Sequence, residues 1–352
     1  MRGVVFLGDR QLELREFPDP TPGPGEVVIE MKASGMCGSD LMAYRPPRGQ
    51  RAMDRFVKPG SDPNFLYIAG HEPCGVVLER GPGVTADQAP TGQRVMIHHY
   101  TGCGRCKHCL VGYAQMCLQG SIVYGFSGHG GHAPYMVVKP HMLVPMPDEI
   151  TFSEGAAISC GTGTAYLALK RLDVSGRDTL VVFGQGPVGL SATLLGKAMG
   201  ARVVAVDLSA ERRDLGLKFG ADHVIDPKEV DPAEAVRALT HGEGASTTLD
   251  CTGNPDARVA AVRSAAIWGR VCFVGEGNTT TFEVSPDIIH KQLTIYGSWT
   301  FSVTGQAECA QFVADRRLPV DTLFTHRWSL DQADEAYRLF DTQTTGKGVF
   351  LF

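Results

Sequence analysis

The sequence has no marked excess of either charge, no apolar run that reads as a membrane span, no internal repeat and no low-complexity tract. A formal charge of −5 with both signs interspersed excludes a general electrostatic pull toward nucleic acid or an anionic membrane. The most apolar stretch, Leu180 to Met199, is rich in glycine and contains a turn motif, which a bilayer-spanning helix would not carry. The opening MRGVVFLGDRQLELREF has acidic residues and lacks the apolar core of a secretory signal, so a cytoplasmic protein is expected. Ten cysteines in such a chain read as reduced thiols and metal ligands rather than as disulfides. What remains is an ordinary globular composition, 43% hydrophobic and 20% charged over 352 residues, with material for two domains.

Four of the cysteines, Cys103, Cys106, Cys109 and Cys117, fall in CGRCKHCLVGYAQMC. Four thiolates so spaced can close tetrahedrally around one Zn²⁺, leaving no coordination position for chemistry. Glycines at 102, 104 and 112 let the backbone turn the sulfurs inward. Two disulfides or an Fe–S site are the competing uses of such a cluster. A closed zinc site is structural, which places any catalysis elsewhere in the chain.

The first 150 residues hold short apolar runs (GEVVIEMKA, CGVVLER, QRVMIHH) separated by turn residues, the pattern of a β-rich domain. From about Thr179 strand-like runs TLVVFG, RVVAVD, HVID, STTLDC and RVCFVG alternate with helical patterns such as AERRDLGLKFG and PDARVAAVRSAAIWG. That alternation signals βαβ units and a parallel sheet, with LTIYGSW at 293–299 as a sixth strand. An amphipathic DQADEAYRLF helix is expected in the tail.

The strand Thr179–Phe183 runs directly into Gly184-Gln-Gly186-Pro187-Val188-Gly189. GxGxxG alone is a weak motif, but here it lies between a strand and a helix, and the next strand ends in Asp207. The three glycines permit a tight turn, close approach of a pyrophosphate and close helix–strand packing. The helix N-terminus offers N–H groups and a positive dipole end to the phosphates. Asp207 can accept hydrogen bonds from both ribose hydroxyls and would repel a 2′-phosphate, which favours NAD over NADP. Arg212 is a candidate to flank the ribose, with a solvated helix charge as the competing reading. Val274 and Gly275, closing RVCFVG, complete the cofactor candidates.

Cys37 in GMCGSD, His71 beside Glu72 in AGHEPCG, and Cys160 in SCGTGTAY form a second set of metal-directed residues. Singly each is unconvincing, because buried cysteine usually behaves as a small hydrophobe. Together they supply a Cys₂His set with one position left open, as in catalytic zinc sites.

With these motifs in this order, the chain resembles the zinc-containing medium-chain dehydrogenases, the superfamily of alcohol, sorbitol and threonine dehydrogenases, nearly end to end. The resemblance implies an α/β protein: a GroES-like β-rich catalytic domain from 1–155 and 299–352, with a structural-zinc lobe at about 95–120. A doubly wound Rossmann domain, six parallel strands over 156–298, is implied between them. It also implies two zinc ions per chain, with Cys37, His71 and Cys160 as catalytic ligands and Glu72 able to approach or replace one. Ser39 matches the hydroxyl that takes the substrate's proton, Asp40 a partner of the zinc-bound histidine, and Thr164 a position against the nicotinamide. The implied activity is reversible oxidation of an alcohol to a carbonyl with hydride transfer to NAD, in a homodimer or homotetramer whose subunits pair through 293–299.

Two departures stand out. Met42 occupies the position where many relatives have a histidine that passes the proton to solvent. A long loop between Cys37 and His71 holds Arg45, Arg48, Arg51, Arg55 and Lys58. Such charges usually face water or a neighbouring subunit; the competing expectation is that they grip an oxygen-rich or anionic substrate, which suggests a secondary, polyol-like or bulky alcohol. A primary-alcohol or formaldehyde dehydrogenase is the alternative enzyme, and a non-catalytic NAD-binding relative the alternative class. For His98, His99, His129 and His132 the expectation is surface or lobe packing.

Overall fold

The computed structural model describes residues 1–48, 66–344 and 346–352. The chain divides into two compact units: Met1–Gly163 with Phe301–Gln343 and Lys347–Phe352, and Thr164–Thr300 with Thr344–Gly346. The first division between these units falls inside the helix Gly161–Arg171. No helix among the described residues is long and apolar enough to cross a membrane.

The first unit is built on a seven-stranded sheet in the order Phe324–Trp328, Lys347–Leu351, Val27–Gly35, Glu72–Arg80, Arg94–Ile97, Leu143–Pro145, with Tyr135–Val138 also paired to Val27–Gly35. Val27–Gly35 runs antiparallel to both Glu72–Arg80 and Lys347–Leu351, with Gly35 opposite Glu72 and also opposite Val349. The C-terminal end of one strand therefore meets the N-terminal ends of two others. Cys37, His71, Glu72 and Lys347 sit at that end. A Cβ on Gly35 would overlap the Glu72 carboxylate, so glycine there lets Glu72 keep its place.

The second unit is a six-stranded, wholly parallel sheet in the order His223–Ile225, Arg202–Val206, Thr179–Phe183, Ala245–Asp250, Ala265–Phe273, Thr294–Gly297. This is the doubly wound dinucleotide-binding order. Val181, Phe183, Val204, Val206 and Ile225 bury their side chains with Val236 and Ala261 of the covering helices. Three helices of this unit start on capping side chains: Ser209 for Ala210–Lys218, Asp231 for Pro232–Leu239 and Asn254 for Pro255–Ser264.

The helical reading of PDARVAAVRSAAIWG holds only to Ser264. Ala265 is already extended, and the strand Ala265–Phe273 includes AAIWG. Trp268 takes the left-handed region at φ 64°, which no right-handed helix tolerates.

Candidate active site

Cys37, His71, Glu72 and Cys160 are all buried, and each offers a ligand atom within 4.8 Å of every other. Cys37 precedes a tight 3₁₀ turn, Gly38–Asp40, and donates its backbone N–H to Asp40 Oδ2 at 2.8 Å. Cys160 follows the helix Phe152–Ile158, which Thr151 and Glu154 start with a reciprocal capping box. Ser159 Oγ, donating to Pro73 O at 3.0 Å, ties that segment to the strand carrying Glu72.

Cys37 Sγ and Cys160 Sγ lie 3.9 Å apart. The hydrogen bond from Cys160, with His71 alongside, draws the Cys37 pKa well below the usual thiol range. The same pairing, together with burial, pushes Cys160 well up. Burial opposes a charge on His71, but the Asp40 carboxylate 2.8 Å from Nδ1 and the Cys37 sulfur outweigh it, holding the imidazole pKa well above its ordinary value. Glu72 is pushed up to about 8 by burial, against the pull of Lys347. Lys347 Nζ donates to Glu72 Oε1 at 2.6 Å and lies 2.5 Å from Oε2, so the ammonium faces both carboxylate oxygens. Two soft sulfurs and an imidazole nitrogen around one buried point, with the Lys347-paired Glu72 carboxyl beside them, form a donor set suited to zinc.

Ser39 Oγ is 3.0 Å from His71 Nε2 and 3.2 Å from Cys37 Sγ, so its hydroxyl belongs to the cluster. Met42 is exposed and offers no proton acceptor. Sequence reasoning missed Lys347, Tyr337 and the roles of two histidines. His132 is fully buried and bonded to Ser34 and Tyr337. His99 is buried with its ring 5.3 Å from that of His71, and its Nδ1–H donates to Ser159 O. His98 is buried as well, so of the two expectations, surface or lobe packing, burial excludes the surface for all three. A histidine between glycine and alanine in GGHAP is the one local signal that could have marked His132.

The second cluster, Cys103, Cys106, Cys109 and Cys117, also brings its sulfurs within 4.8 Å of one another. Backbone N–H groups of Cys103 and Gln119 donate to Cys117 Sγ, and that of Cys106 to Cys103 Sγ. Backbone donors bring the Cys106 pKa down to about 6, while burial pushes Cys109 up to about 12. Four sulfurs with N–H groups turned toward them suit a closed metal site.

In the second unit, Gly184 takes φ 86° and a Cβ on Gly189 would overlap the Gly184 backbone, as the phosphate turn requires. The helix Pro187–Ala198 that follows has no side-chain cap at Gly186, unlike the three capped helices beside it. Its first N–H groups, beginning at Val188 because Pro187 has none, are thus left for an anion. Asp207 is buried at the end of its strand, accepting from Gln185 N at 2.6 Å and Ser209 N at 2.9 Å. One lone pair on each oxygen remains. Arg212 is half-buried, with an Nε that finds no partner. Val274 and Gly275 donate their N–H groups to Asp250 O. Thr164 is buried in the helix Gly161–Arg171.

The arginine loop is described only to residue 48. Arg45 pairs with Asp341 at 2.5 Å and Arg48 donates to Gln11 at 3.0 Å; both are engaged on the surface of the first unit. Arg51, Arg55 and Lys58 lie outside the described residues.

Residues 23–148 match the family model of the alcohol dehydrogenase GroES-like domain, and residues 187–316 that of the zinc-binding dehydrogenase. The chain belongs to the zinc-containing medium-chain dehydrogenase superfamily. It is 40% identical to an uncharacterized zinc-type alcohol dehydrogenase-like protein, YphC, of Escherichia coli, over 100% of this chain and 99% of that one. It is 33% identical to the L-threonine 3-dehydrogenase of Pyrococcus horikoshii, over 96% and 94% of the two chains. Among solved structures it is similar to the alcohol dehydrogenase TADH from Thermus sp. ATN1, with a TM-score of 0.88, 26% identity, and 100% and 99% coverage.

Proposed function

We propose that this medium-chain dehydrogenase is a zinc-dependent, NAD-linked enzyme that reversibly oxidises a secondary alcohol to a carbonyl compound. The observation that carries the reading is the buried convergence of Cys37, His71 and Cys160 with the Ser39 hydroxyl beside them. Cys37, His71 and Cys160 would hold the zinc, with Glu72 as a further donor that Lys347 can draw back. Zinc bound there supplies a Lewis acid that makes an alcohol hydroxyl more acidic, and NAD supplies the hydride acceptor.

Ser39 is placed to receive the hydroxyl proton, and Met42 gives no onward acceptor. Asp40 holds His71 by Nδ1, which leaves Nε2 for the metal. In the second unit the uncapped helix at Gly186 would take the pyrophosphate, and Asp207 the ribose hydroxyls, favouring NAD. The four-cysteine lobe would hold a second, structural zinc. The secondary-alcohol reading leans on the threonine relative, whose name places its reaction at carbon 3 of L-threonine, a secondary carbinol. Arg45 and Arg48, bonded elsewhere, lend it no support.

A homo-oligomer in the cytoplasm completes the proposal. Thr294–Gly297 is an edge strand with Ile295 exposed, and Ile267 and Trp268 beside it are 65% and 69% exposed. A second copy pairing along this edge would cover them.

The test is NAD reduction across a panel of linear alcohols, polyols, sugars and hydroxy acids. Turnover concentrated on secondary alcohols is expected. Ethanol turned over as well as the best secondary alcohol would defeat the substrate reading, and NADP preferred over NAD would defeat the cofactor reading.

A further inference from the structure

The hydrogen bonds around Asp40 continue into the core of the first unit, and their directions can be worked out from one fixed end. Asp40 is fully buried and its carboxylate only accepts. Tyr337, from the C-terminal helix Ala333–Asp341, lies with its hydroxyl 3.2 Å from Asp40 Oδ2 and must therefore donate to it. That hydroxyl is left to accept, and His132 Nε2 at 2.7 Å must carry the proton it accepts. An imidazole protonated on Nε2 and neutral has an acceptor at Nδ1. Ser34 Oγ, 2.7 Å from His132 Nδ1, supplies the donor. Burial pushes His132 down to about 4 and Tyr337 well above the usual phenol range, which agrees with a neutral ring and a protonated hydroxyl. At the other end, Asp40 Oδ1 accepts from His71 Nδ1–H at 2.8 Å. Nε2, 3.0 Å from Ser39 Oγ, is then the nitrogen left on the side of the Cys37 and Cys160 sulfurs.

Every group in this chain is at most 2% exposed, and four separate segments supply it. Phe6, Phe340 and Phe350 pack directly on the Tyr337 ring. Phenylalanine at both 337 and 132 would suit those neighbours and spare the desolvation of a hydroxyl and an imidazole. A fully satisfied polar chain in such surroundings, ending on a metal-directed histidine, is suited to orienting that histidine.

We propose that Tyr337 and His132 are positioning residues for His71: the directional chain Ser34–His132–Tyr337–Asp40 fixes the His71 tautomer and ring orientation in which Nε2 faces the metal. The inference rests on the reading of Cys37, His71 and Cys160 as a zinc site, and one experiment separates the two. The full chain, stripped of metal, is titrated with Co²⁺ against a chromophoric chelator while the visible cobalt bands are recorded. Wild type, Tyr337→Phe, His132→Phe and His132→Gln are compared, and each variant's melting temperature is measured.

In Tyr337→Phe the Cys₂His site should weaken by about 10-fold and its bands should shift, while the four-cysteine site in the same molecule stays unchanged. His132→Gln, which can still donate to Tyr337, should bind cobalt more tightly than His132→Phe. A folded Tyr337→Phe with wild-type affinity and bands would overturn the inference alone, as would variants that lose melting temperature with no change in cobalt binding. Wild type taking up cobalt only at the four-cysteine site would overturn the zinc reading itself, and this inference with it.

Discussion

Lys347 Nζ donates to Glu72 Oε1 at 2.6 Å inside the first unit, with both side chains at most 2% exposed. The ammonium also donates to Met36 O at 2.9 Å, one residue before Cys37. Burial pushes Glu72 up to about 8 even with Lys347 beside it, so Lys347 is the counter-charge on which any ionisation of Glu72 beside two cysteines depends. Burial opposes its charge, but the Glu72 carboxylate holds its pKa above the ordinary lysine value.

Removing one partner of such a pair leaves the other uncompensated. Lys347→Met should destabilise the protein by about 3–5 kcal/mol, measured by urea denaturation. Lys347→Met combined with Glu72→Gln should recover much of that loss. A single variant as stable as wild type would show that the pair carries no such weight.

Acid should destabilise the protein through its buried histidines. His132 is held at about 4 by burial, against 6.5 for a free imidazole, so below pH 6.5 the unfolded chain binds a proton that the fold refuses. The stability this contributes is complete above pH 6.5 and is lost as pH falls toward 4, at about 1.4 kcal/mol per unit. His98, pushed to about 3 by burial with His141 nearby, acts in the same direction. Stability measured by urea from pH 7 to 4 should fall less steeply in His132→Phe than in wild type, by about one proton; an unchanged slope would mean that His132 is protonated in the fold.

Much of the proposed site was legible because its candidate residues are themselves rare and clustered. Cys37, His71 and Cys160 each lie in a short glycine-bearing motif, and the glycine turn with Asp207 reports its own geometry. Lys347, Tyr337 and His132 had no such signal. Lys347 meets Glu72 across 275 residues and Tyr337 meets Asp40 across 297, so only the strand order and the docking of the last helix bring them together. In RSAAIWG the apolar spacing fits a helix, but Ala265 and Trp268 leave helical backbone angles, and pairing with Ala245–Asp250 decides for strand.

Cofactor choice should follow Asp207. Asp207→Ser should shift the ratio of NAD to NADP turnover toward NADP. It should also lower the melting temperature, because the carboxylate holds the backbone of Gln185 and Ser209. Steady-state kinetics with both cofactors decides it; a ratio unmoved by the substitution would take Asp207 out of ribose recognition.

Ile295→Lys should dissociate the assembly. A charge on the exposed edge strand opposes strand pairing between copies, so sedimentation should show wild type as a dimer or tetramer and the variant as smaller. A wild-type monomer at micromolar concentration would contradict the proposed interface.

The central claim, that Cys37, His71 and Cys160 hold a catalytic zinc distinct from the one in the cysteine lobe, is tested most directly by elemental analysis of wild type and Cys160→Ser. Two zinc ions per chain are expected in wild type and one in the variant, which should stay folded and lose NAD reduction. One zinc in wild type, or two retained by Cys160→Ser with full activity, would contradict the account.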